Sequence, residues 1–209
     1  QVVFSAAPHA TSARFANVAF SAGSLLESFL HRIAKRQPLA VPRATKRYLI
    51  TLEESGQLCL LAAACGAPRQ IFLPKLDPAR HAHDLQAVAE RVLRAHGFQP
   101  QFFESEKDLR TATLVKDRYP VLLTDRDTSG EKPMEIFAGA GEKAIDIGLA
   151  SLQAITDSPL STGAFTRRCD DVLGSPHASV TKEEIVVWMQ ELIPGFRHLE
   201  TGRSLDDRM

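Results

Sequence analysis

An α/β fold is what this sequence predicts, on two observations. Short apolar runs alternate with longer stretches of helical periodicity along the chain. Three of the helical stretches open on the S/T-x-x-E pattern that caps a helix start: Ser24 with Glu27, Thr51 with Glu54, and Thr181 with Glu184. No internal repeat or low-complexity block argues for a solenoid or a disordered chain.

The elements follow in order. VVFS (2–5) and ARFANVAF (13–20) read as strands, followed by a small-residue SAG loop. The helix from Ser24 carries Leu25, Leu26, Phe29, Leu30 and Ile33 at a 3.6-residue spacing, and Pro38 marks its end. LAVP (39–42) and RYLI (47–50) are short strands, and Thr51 opens a second helix closed by Gly66. QIFLP (70–74) reads as a strand, 84–96 as a helix closed by Gly97, and FQPQFFE as a strand. Residues 105–118 look helical, PVLLT (120–124) extended, and 138–178 like short helices and loops. The last helix, from Thr181, presents Ile185, Trp188, Met189 and Leu192 on one face. A soft boundary near residue 104 separates an α/β portion, 1–104, from a mainly helical C-terminal extension, 105–209.

Bulk composition excludes several classes. Lys and Arg total 25, as do Asp and Glu, so balanced charge gives no case for nucleic acid or an anionic membrane. No apolar run approaches a membrane span. The first ten residues lack the basic and apolar regions of a signal peptide. Cys59, Cys65 and Cys169 form no CxxC pair and read as reduced, mostly buried thiols of a cytoplasmic protein.

The stretch RFANVAFSAGSLL ends a strand on Asn17 and starts a glycine-preceded helix at Ser24, a geometry suited to phosphate. The same residues also make an ordinary capped helix start that binds nothing. Arg47, ahead of a strand-to-helix turn, has the planar fork that suits a diphosphate, though a solvated surface arginine is the more ordinary reading. Glu53 and Glu54 are adjacent on a helix and do not face each other, so they make no catalytic pair. His81 and His83 have no Cys or carboxylate set around them, and no metal site is assigned. DTSGEK (127–132) lacks the P-loop pattern and reads as a polar turn. The chain shows no G-x-G-x-x-G after a strand, no Tyr-x-x-x-Lys and no G-x-S-x-G.

Taken together, RFANVAFSAGSLL, the PLAV strand, RYLITLEES and QIFLP resemble, in order and spacing, the extended short-chain dehydrogenase/reductases of polysaccharide biosynthesis. These include UDP-N-acetylglucosamine 4,6-dehydratases and nucleotide-sugar epimerases. DTSGEKPMEIF and IPGFRHLETGRSLDDRM resemble the C-terminal part of one branch of that family. The resemblance implies a Rossmann-type α/β fold and a UDP-sugar ligand. It implies that Asn17 contacts the diphosphate or sugar, that Ser24 and Leu25 meet the diphosphate and uridine side, that Ala40 and Val41 line the uracil pocket, and that Arg47 pairs with the diphosphate.

The family holds NAD or NADP on a glycine-rich turn and bears its catalytic Tyr/Met-x-x-x-Lys helix just before R-F-x-N-V. In this sequence eight residues separate Ser5 from Arg14, leaving no room for that helix. The chain therefore reads as a substrate-binding portion without catalytic or cofactor-binding residues. The alternative reading is a non-catalytic binding or oligomerisation module derived from that fold, with the Trp188 helix as its interface. A homo-oligomer is compatible with either.

Overall fold

The computed structural model describes Phe4 and residues 7–113, 115–127, 129, 132–139, 141–156, 163, 167, 170, 180–193 and 196–202. Their elements, in chain order, are β1 (Ser12–Ala13), β2 (Asn17–Val18), α1 (Leu25–Ala34), β3 (Leu39–Pro42), β4 (Lys46–Ile50), α2 (Leu52–Cys65), β5 (Gln70–Pro74), α3 (Pro78–His81), β6 (Ala82–Asp84), α4 (Leu85–Ala95), β7 (Gln99–Phe103), α5 (Glu106–Thr111), β8 (Arg118–Thr124), β9 (Ala144–Asp146), β10 (Leu152–Thr156) and α6 (Lys182–Leu192). They form three small sheets, ordered β1-β5-β10-β9, β2-β4-β6 and β3-β8-β7. The pairs β1–β5, β2–β4, β3–β8 and β7–β8 are parallel, while β4–β6, β5–β10 and β9–β10 are antiparallel, so the predicted α/β class holds with mixed sheets.

Strand alternation and helix periodicity build the main core together. Leu39 and Val41 of β3 point one way into the cluster, where they meet Val121 of β8, Phe29 of α1, and Leu85, Ala89, Val92 and Leu93 of α4. Tyr119 joins this core with its hydroxyl between the carbonyls of Arg32 and Gln37, at 3.1 and 2.9 Å. Burial pushes its phenol above the ordinary tyrosine value. The second region is organised around β5, which is covered on both faces. Ile71 and Leu73 meet Phe4 and Ile155, while Phe72 meets Leu58, Ala62 and Ala154.

Several expectations are corrected. The single strand expected over 13–20 divides in two, because its first part pairs with β5 and its second with β4. Of the strand expected over 2–5, Phe4 is described, and it is helical and buried. The helix expected over 105–118 stops at Thr111, ahead of the β-branched Thr113 and Val115. Among the described residues after 104, β8, β9 and β10 join sheets begun by the first portion, beside the helices α5 and α6. β8 pairs with both β3 and β7, and β10 pairs with β5. Cys59 and Cys65 are exposed rather than buried. α2 turns only Ser55, Leu58 and Ala62 inward, although apolar residues surround its axis. Cys169 and most of 157–179 lie outside the described residues.

Gly66 does end α2, but not by a left-handed turn. Its φ is −73°. A Cβ there would meet the Ala62 carbonyl oxygen at 2.4 Å and Thr11 Cγ2 at 2.7 Å, so close approach is what demands glycine.

Candidate functional site

The pairing of β2 with β4 sets Asn17 opposite Leu49, and Arg47 lies two residues earlier on β4. Side chains two apart on a strand share a face, so Asn17 and Arg47 come to the same side of the ribbon. The buried Tyr48 takes the other side and packs edge-on against Phe137, with centroids 5.3 Å apart.

A carboxylate joins the two polar residues. Glu135 Oε1 lies 3.2 Å from Arg47 Nε. With its amide oriented by its neighbours, Asn17 donates to both Glu135 oxygens at 2.9 Å and faces the Tyr48 carbonyl at 3.3 Å. Arg47 Nη1 also donates to the carbonyls of Lys46, Lys132 and Pro133, at 2.9, 3.1 and 3.3 Å. The Lys46 N–H donates to Pro133 in turn, at 3.0 Å. Residues 132–137 thus run across the β2–β4 ribbon as a strap. Its far end is held by Arg14, which donates to the Phe137 carbonyl at 2.9 Å and to both Glu142 oxygens at 2.6 and 2.7 Å.

The start of α1 carries its own anion. Ser24 Oγ accepts from the Glu27 N–H at 3.2 Å, as a helix cap should. The Glu27 carboxylate does not return to Ser24. It accepts from the Gly23 N–H at 2.7 Å, one residue earlier, where Gly23 has φ +75°. The neighbouring Phe20 also holds a left-handed backbone, φ +58°, with its ring 48% exposed; a bulky residue in that region marks local strain.

The remaining expected residues lie elsewhere. Ser24 and Leu25 are half-buried at the α1 start, and Leu25 leans on the main core. Ala40 and Val41 are in a different sheet, beside β8. Val41 is 0% exposed, backbone and side chain alike, so it belongs to the core and offers a ligand no surface here. Ala40, on the opposite face, is half-buried.

The Thr51–Glu54 capping box forms in full, and Glu53 accepts from the Gln57 amide, so this carboxylate pair is spent on α2. His81 Nδ1 accepts from the Asp77 N–H, and His83 sits opposite Arg47 on β6. Among the described residues no three His, Cys, Asp or Glu gather as metal ligands. No helix among them is long and apolar enough to cross a membrane.

In the β2–α1 turn the one glycine, Gly23, gives its N–H to Glu27, and no described residue is assigned to a dinucleotide. What the site offers chemically is anion binding: a guanidinium and an amide converge on two carboxylate oxygens.

The sequence singles out Asn17 and Arg47, but not Glu135, Arg14 or Glu142, which the structure sets beside them or on the same strap. The pairings to Glu135 and Glu142 run between distant parts of the chain, and no local spacing announces them.

A family model described as polysaccharide biosynthesis protein matches residues 4–127. Among solved structures, the chain is similar to Pen from Bacillus thuringiensis, determined by X-ray methods, with a TM-score of 0.50 and 19% identity. The match covers 70% of this chain and 39% of Pen, and it speaks for the fold. No curated protein matches.

Proposed function

The chain belongs to the polysaccharide biosynthesis protein family, and we propose that it is the substrate-binding portion of a nucleotide-sugar dehydratase or epimerase, with a UDP-sugar as ligand. Asn17 and Arg47 grip the diphosphate in this reading. The observation that carries it is the register of β2 on β4, which gathers both residues on one face around a pair of anionic oxygens. A diphosphate offers anionic oxygens to both residues as that carboxylate does, and its geometry also suits the planar fork of Arg47. Ser24, Leu25 and Ala40 complete the proposed contacts, and the buried Val41 supports the Ala40 strand from the core. NAD or NADP belongs to the family's chemistry, a hydride taken from the sugar and returned. No described residue is assigned to it or to proton transfer.

Calorimetric titration with UDP and UDP-N-acetylglucosamine tests this. Saturable binding that weakens by about ten- to a hundredfold on Arg47→Ala is expected, the span of a hydrogen bond to a charged group. Binding that ignores this substitution sinks the assignment.

One observation favours the second reading, a binding or oligomerisation module. Leu52 and Leu60 of α2 are 75% and 71% exposed, and the second half of that helix, Leu58–Cys65, is apolar all round. Self-association that depends on Leu60, with no response to nucleotide, is the outcome that reading requires.

A further inference from the structure

The Asn17–Arg47 site already holds an anion, and the chain itself supplies it. Glu135 takes the amide of Asn17 at 2.9 Å on both oxygens and the Nε of Arg47 at 3.2 Å. The strap bearing it is anchored elsewhere, by Phe137 on Tyr48 and by Arg14 on the Phe137 carbonyl and Glu142. The Glu135 side chain remains 35% exposed, within reach of water and of a competing ligand.

We propose that Glu135 is a specificity-determining residue of this site: its carboxylate stands in for the nucleoside diphosphate, must leave Arg47 and Asn17 before that ligand binds, and so sets the affinity threshold. This rests on the reading that Asn17 and Arg47 bind a diphosphate. The physics is direct competition. Two anions cannot share one guanidinium edge and one amide at these distances without repulsion. A ligand with a single negative charge gains little over the resident carboxylate. A diphosphate brings more charge and more acceptor oxygens, and displaces it. The exchange also frees the strap locally, because Arg47 Nη1 then leaves the Lys132 and Pro133 carbonyls. The Lys46 N–H, bonded to Pro133, reports that release.

The test compares the chain with its Glu135→Gln variant. Glutamine keeps the size and one acceptor but removes the charge. Each is titrated with UDP, inorganic pyrophosphate and inorganic phosphate, and amide exchange at Lys46 is followed in the unaltered chain with and without saturating pyrophosphate. Glu135→Gln is expected to bind UDP and pyrophosphate about three- to tenfold tighter, as loss of a half-exposed ion pair and of like-charge repulsion implies. Lys46 exchange is expected to accelerate when pyrophosphate binds. Should UDP bind the unaltered chain while Glu135→Gln binds it equally or more weakly, competition is wrong and the diphosphate site survives. Should Lys46 exchange stay unchanged at saturation, the strap does not yield and the proposal fails the same way. If neither chain binds any of the three ligands, the site reading falls and this inference with it.

Discussion

Arg14 meets Glu142 through two parallel hydrogen bonds of 2.6 and 2.7 Å, whereas Arg47 meets Glu135 through Nε at 3.2 Å and spends Nη1 on backbone carbonyls. Both arginines hold the segment between residues 132 and 142 against the β-strands of the first portion. The geometries teach that they do different work. A bidentate fork on one carboxylate fixes distance and angle together, and behaves as a clamp. A single ion pair shared with an amide leaves the carboxylate replaceable by another anion. Arg14 accordingly reads as the structural grip, and Arg47 as the exchangeable one.

Stability measurements break this contrast most directly. Arg14→Ala removes the fork and the hydrogen bond to Phe137, leaving the Glu142 carboxylate with the Gly139 N–H at 2.7 Å. It is expected to cost about 2 kcal/mol, in the range for hydrogen bonds to charged groups. Arg47→Ala is expected to cost about half that, because its ion pair is single and Asn17 still donates to both Glu135 oxygens when it is gone. Urea midpoints at constant slope decide it. An Arg47→Ala loss as large as that of Arg14→Ala would make both arginines structural.

Acid titration sharpens the contrast further. Glu142 is held below its usual carboxyl value, chiefly by its hydrogen bonds to Arg14, against some opposing burial and with help from the Gly139 N–H. A carboxyl depressed in the folded state binds its proton more weakly there than in the unfolded chain. Its contribution is therefore present above the unfolded value, about 4.3 for glutamate, and drains away as pH falls through the folded value. The stability gap between the chain and Glu142→Gln should be full near about pH 6 and close as pH falls below about 4. A gap that stays constant across that window would show that the clamp acts through shape rather than charge.

How much of this was legible in the sequence follows from the range of each interaction. Asn17, Ser24 and Arg47 announced themselves locally, by strand end, cap and strand-to-helix turn. The fact that β2 and β4 pair, and so bring Asn17 and Arg47 together, is a matter of register that periodicity does not state. Glu135 was harder still, because it reaches the site from a turn-rich stretch whose pattern resembles any polar loop. β9 and β10 were missed for a related reason: β10 is a strand because β5 offers an edge, and β9 because β10 offers the next, not because Ala144–Asp146 or Leu152–Thr156 has strong alternation. In α2 the opposite error arose. The run LCLLAAAC announced burial of Cys59 and Cys65, but a helical run apolar on every side gives no phase, and the structure turns Leu58 and Ala62 inward instead.

A third arginine–glutamate pair sets the lower end of the scale. Arg94 and Glu90 lie one helical turn apart on α4, at 3.3 Å, with side chains 60% and 34% exposed. The order, glutamate ahead of arginine, is the favourable one for a helix, yet such pairs contribute only about 0.3 to 0.5 kcal/mol. α4 does not depend on it, because Leu85, Val88, Ala89, Val92 and Leu93 are buried and dictate where the helix lies. Glu90→Gln is therefore expected to shift the urea midpoint barely above error and to leave UDP titrations unchanged. The pair is chemically the same as Arg14 with Glu142, and differs in joining two residues that the helix had already placed side by side. If Glu90→Gln cost as much as Arg14→Ala, bridging distant parts of the chain would not be what gives the Arg14 clamp its strength.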